Sequence, residues 1–155
     1  MKKLYFATTL VIICFFVAFF MYRTHQARFF SCTAHFQANN SDTYLRAMLR
    51  FTFTGKEGTA SLRGEVKDEQ NKKLTLNRLV FFSFTEKNNN YKMSSVNVSK
   101  ENNDRVDDAV LQKLIYVFYL EKNKSVQYNI LEQKNGDYVI YNGSLPLAYC
   151  HNNER

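Results

Sequence analysis

The chain has 155 residues, 45% of them hydrophobic, with five Gly and one Pro. This is a globular composition, enough for one modest core and too poor in linker residues for a second domain. The net charge is +7, but Lys and Arg are dispersed among Asp and Glu in 67–73, 87–92 and 122–134. Without a basic stripe or a nucleic-acid-binding motif, nucleic acid is not an expected partner.

Residues 1–3, Met-Lys-Lys, read as a short cytoplasmic tail. Residues 4–22, LYFATTLVIICFFVAFFMY, carry no charge. As a helix they would extend roughly 28 Å, close to the thickness of a bilayer's hydrocarbon core. Tyr5 and Tyr22 stand near the ends of the run, where interfacial aromatics belong. A cleaved signal peptide would need small residues before the cut, and Phe19, Phe20, Met21 and Tyr22 occupy that place. The expectation is a retained signal-anchor in the lipid bilayer of a bacterial inner membrane, N-terminus cytoplasmic, with residues 23–31 as a juxtamembrane linker and 32–151 as a periplasmic domain.

Within that domain, Leu45, Ala47, Leu49, Phe51 and Phe53 alternate with Arg46, Arg50, Thr52 and Thr54. Period two predicts a half-buried antiparallel strand, and the turn at 55–58 returns it through Ala60, Leu62 and Val66 as a hairpin. A second hairpin is expected from 74–85, apolar on both faces around 79–82 and so read as a central strand, through the turn at 87–90 into 91–99. From Asp104 or Asp107 the spacing of Val106, Val110, Leu114, Val117 and Phe118 predicts a capped helix reaching about Glu121 and lying across the sheet. A third hairpin, 126–132 and 138–141 around Asn135-Gly136, ends the pattern. The fold class is α+β: a transmembrane helix, then a small antiparallel β-rich domain, either open or barrel-like, with one packed helix.

Cys32 and Cys150 bracket the domain, while Cys14 lies within the apolar run. In an oxidising compartment the pair reads as one disulfide. A zinc site on Cys32, His35, Cys150 and His151 is the alternative, which requires the two histidines to meet. No phosphate loop, nucleophile elbow or HExxH motif occurs, so no catalytic residue and no cofactor are expected, and the chain does not read as an enzyme. If the sheet encloses space instead of packing its aromatics into a core, a lipocalin-like sensor of a small apolar ligand is the reading.

Ser31-Cys32 follows the anchor, and Leu76-Asn77-Arg78-Leu79-Val80-Phe81 leads a strand. Tyr91-x-Met93 follows the turn, and Gly136-x-Tyr138 precedes Pro146-x-x-x-Cys150. In this order and spacing, over nearly the whole chain, the sequence resembles the FidL-like family of small enterobacterial inner-membrane proteins. The resemblance implies paired cysteines at Cys32 and Cys150, supporting the disulfide. It also implies an accessory role, in which the periplasmic domain binds and stabilises a membrane-bound ToxR/CadC-like regulator. It brings no catalytic residues with it.

Overall fold

The computed structural model describes the backbone of residues 2–26, 28–40 and 42–153, and the side chains of 8–22, 28–40 and 42–153. Helix α1 runs Lys2–Gln26 and strand β1 starts at Phe29, so helix and strand take up most of the span expected as a linker. The side chains described in α1 are all exposed and, Thr8 and Thr9 aside, mainly apolar, with Phe15 and Phe20 each 71% exposed. The expected span also takes in residues 4–7, whose side chains lie outside the described set. Among the described residues, no helix is long and apolar enough to cross a membrane.

Among the described residues, eight antiparallel strands follow in simple up-and-down order and close on themselves as a barrel. They are β1 Phe29–Asn40, β2 Thr43–Thr54, β3 Glu57–Lys67, β4 Lys73–Lys87, β5 Asn90–Lys100, β6 Ser125–Glu132, β7 Tyr138–Asn142 and β8 Leu145–Asn152. The three expected hairpins are β2–β3, β4–β5 and β6–β7. The alternation of β2 puts Leu45, Ala47, Leu49, Phe51 and Phe53 inside. Strand β4 corrects the expectation of burial on both faces: Leu76, Arg78, Val80, Phe82 and Phe84 point in, while Phe81 is 41% exposed. The barrel is one layer thick, so its strands have an outer face in solvent.

The long helix expected from 104 or 107 to 121 is also corrected. Asp107 does cap, accepting a hydrogen bond from the Ala109 N–H at 2.9 Å, but helix α2 is only Asp108–Leu111. A 3-10 turn, Val117–Tyr119, follows after Tyr116 has taken an extended conformation. The run Ile115-Tyr116-Val117-Phe118-Tyr119 is β-branched and aromatic throughout, which lowers its helix propensity. Burial of Val106, Leu111 and Phe118 along a strap across the barrel outweighs continuing the helix.

Both ends of the strap are tied. At its start, the buried Arg78 donates from Nε to Asp104 Oδ2 at 3.0 Å and from Nη2 to the Val106 carbonyl at 3.1 Å, and its Nη1 lies 2.6 Å from Asp108 Oδ1. At its finish, Ser95 Oγ donates to the Glu121 carbonyl at 2.6 Å and accepts from the Lys124 N–H at 3.0 Å.

Candidate functional site

The interior of the barrel is filled at one end and hollow at the other. In the filled half Phe30 stacks on Phe53 and on Tyr138, each at 4.4 Å between ring centroids, and Phe53 meets Phe84 and Tyr91 edge-on at 5.0 and 5.3 Å. Beyond Phe51 the packing stops. A cavity of about 420 Å³ opens between the strap and β1, β2, β3, β6, β7 and β8, lined by Phe36, Leu49, Leu62, Ile140, Leu147 and Ala148 among others. Its volume is in the range of small-molecule sites, and a predominantly apolar lining is usual for them.

The cavity has a cause in strand pairing. Strands β1 and β8 pair only through Cys32 with Asn152, Thr33 with His151 and Ala34 with Cys150. Past Ala34 the seam parts, and the strap residues 112–116 form the wall there. At the rim, Lys113 Nζ lies 3.9 Å from Glu69 Oε1, an exposed pair worth little in stability.

Two phenols supply the polar chemistry of the cavity. Tyr119, from the strap, and Tyr128, from β6, have their hydroxyls 3.1 Å apart and both line the space. Burial, the largest influence on each, pushes both phenols far above the ordinary tyrosine value, so both stay protonated and able to donate. Tyr116 sits at the mouth, its hydroxyl accepting from Asn142 Nδ2.

Of the residues singled out from sequence, Cys32 and Cys150 are joined, with Cα atoms 5.4 Å apart. His35 and His151 do not join them. Both cysteines are buried inside, whereas a residue one or three places along a strand points to the other face, so both histidines are exposed outside. Among the described residues, no group of three or more His, Cys, Asp or Glu is placed to hold a metal ion.

Sequence reasoning missed Asp137, which ties the β6–β7 turn to β8. Tyr149 donates to its Oδ2 at 2.5 Å, the Asn152 N–H donates to Oδ1 at 3.0 Å, and His151 Nδ1 lies 2.9 Å from Oδ1. These contacts, led by Tyr149, hold its carboxyl at about 2, below the ordinary 3.8. Because the folded value is depressed, the stabilisation is fully present above the unfolded value and is lost as pH falls through the folded one. Barrel stability is therefore expected to fall between about pH 4 and pH 2, with a smaller fall in Asp137→Asn. The carboxyl-carbon shift of Asp137 against pH, with urea midpoints, checks this; a titration midpoint near 4 would contradict it.

Residues 29–150, the span of the barrel, match the family of the YqeJ C-terminal domain. The chain is also 28% identical over 123 residues to the uncharacterized protein YqeJ of Escherichia coli (strain K12), covering 77% of each chain. No solved structure matches it. Neither match names the FidL-like family.

Proposed function

The chain belongs to the YqeJ C-terminal domain family, and from that premise we propose that it is a membrane-tethered, non-enzymatic binding protein whose barrel takes up one small apolar ligand. The observation that carries this reading is the cavity of about 420 Å³ left unfilled in a chain rich in aromatics. A domain this small needs its apolar side chains for stability, and an unfilled apolar space costs it packing. A ligand bound by the folded state restores that loss by mass action. The uncharged run of residues 4–22, within helix α1, serves as the anchor in a bacterial inner membrane, with the barrel on the periplasmic side, where the disulfide is compatible with the redox conditions.

Uptake is tested on the full-length chain in lipid nanodiscs by titrating 1-decene against the labelled leucine methyls. Leu49, Leu62, Leu114 and Leu147 line the cavity, so their resonances should shift together. Ala148→Phe, which places a ring in the same space, should abolish those shifts. Unmoved pocket leucines in the natural chain would overturn the reading.

A second reading, stabilisation of a membrane-bound ToxR/CadC-like regulator, has one observation in its favour. Barrel closure removes the long free edges on which strand addition would depend, but β5 pairs with β6 only over Asn90–Ser94. Its outer part, 96–100, offers a short length of backbone to a partner strand. Confinement of both proteins to one membrane would raise the effective concentration of even a weak contact.

A further inference from the structure

The phenol pair bears on what the apolar molecule carries. A phenol has one proton to donate and lone pairs to accept with. When Tyr119 and Tyr128 bond to each other, one proton bridges the two oxygens and the second is left over. No other hydrogen bond of either hydroxyl occurs among the described residues, although Tyr119 is 5% and Tyr128 3% exposed. Each of the two oxygens has the other as its partner, and the second proton keeps the capacity to take a further acceptor. Both residues line the cavity, so an occupant can supply it.

Resting on the ligand reading above, we propose that the occupant is an uncharged apolar molecule with one carbonyl or ester oxygen, which accepts the spare proton of the Tyr119–Tyr128 pair. The absence of charge follows from the lining. Among the described lining residues its one cationic side chain is Lys113, at the rim and beside Glu69, while Phe51, Leu62, Ile140 and Ala148 are among its apolar walls. A carboxylate there would be buried without a counter-charge, at a cost that two phenols do not offset. A hydrocarbon without oxygen would fit the walls and leave the proton unused.

Tyr119→Phe/Tyr128→Phe is the informative variant. It removes both partners of the hydroxyl bond while keeping their shape, a change that is close to neutral for folding. Either single variant leaves one phenol free to donate to a ligand. Full-length chain and double variant are compared in nanodiscs of the same lipid, so ligand partitioning into the bilayer is equal. Their leucine methyls are titrated with 2-decanone, 1-decene and decanoate.

The expected result is 2-decanone binding weakened by about three- to tenfold in the double variant, with 1-decene binding unchanged. Equal binding of 2-decanone to both proteins would overturn the oxygen contact and leave the apolar pocket standing. Tighter binding of decanoate than of 2-decanone would overturn the requirement for an uncharged group. If none of the three moves the pocket leucines of the natural chain, the ligand reading fails, and this inference fails with it.

Discussion

Replacing Arg78 by Met is expected to lower the unfolding free energy by about 3–5 kcal/mol, because it leaves a buried carboxylate without its counter-charge. The Arg78 side chain is 1% exposed and that of Asp104 is 0%. Asp104 would retain hydrogen bonds from the N–H groups of Asn77 and Val106, at 3.1 and 3.0 Å, and Lys100 Nζ at 3.8 Å. None of these replaces a guanidinium that also holds the Val106 carbonyl and Asp108. Lys at 78 should fail almost as badly, since one ammonium cannot reproduce a planar fork that reaches three acceptors.

The same change should loosen the strap, and so one wall of the pocket, raising the ligand concentration needed for half-occupancy. Urea unfolding provides the measurement, and a double-mutant cycle with Asp104→Asn isolates the pair. Asp104→Asn should cost less in the Arg78→Met chain than in the natural one, since its charge is then a liability. A loss under about 1 kcal/mol for Arg78→Met would show that the cluster is not the strap's anchor.

Breaking the disulfide should have an effect of similar size by a different route. Cys32 and Cys150 are 118 residues apart, and releasing so long a loop in the unfolded chain costs the folded state about 5 kcal/mol by the chain-entropy relation. It also removes the covalent tie at the shortest seam in the barrel, where β1 and β8 share three residue pairs. Beyond those pairs the seam keeps the Asn153 N–H on the Ser31 carbonyl at 2.9 Å and Thr33 Oγ1 on Asn153 Oδ1 at 3.0 Å. Cys32→Ser should therefore unfold at much lower urea, and its abundance in cells should drop as the unfolded fraction is degraded. A urea midpoint unchanged by the substitution or by reductant would contradict this.

Strands β2 and β3 were legible because their inner faces are apolar and their outer faces polar, so period two stands out, whereas β4 was found by its apolar run, in which the outward Phe81 blurs the alternation. Strands β1 and β8, which close the barrel, were not. FFSCTAHFQANN buries Phe30, Ser31 and Cys32 in succession, and LPLAYCHN contains a proline and lines the hollow half with Ala148. A strand facing a cavity needs no large inward side chain, so its alternation is faint. Missing these two strands left the sheet with apparent free edges.

The strap misled for the opposite reason. Val106, Val110, Leu114 and Phe118 happen to fall at helical spacing, yet only Val110 and Phe118 lie in the two short helical turns, which an extended Tyr116 separates. Arg78 did leave a signal, a charge at an inward position between Leu76 and Val80. Its partner Asp104 lies across a chain reversal that one sequence does not register. The Tyr119–Tyr128 contact also brings together a strap and a strand, and in sequence both residues read as ordinary core aromatics.

The most direct measurement of the central claim, that the hollow half of the barrel holds a ligand, is native mass spectrometry of the full-length chain. The chain should stay with alkaline carbonate-washed membranes, as the proposed anchor requires, and be ejected from them into the instrument. The prediction is a species heavier than the bare chain by one small apolar molecule, present for the natural protein and missing for Ala148→Phe. A bare chain mass for the natural protein, or the same added mass on both, would contradict it.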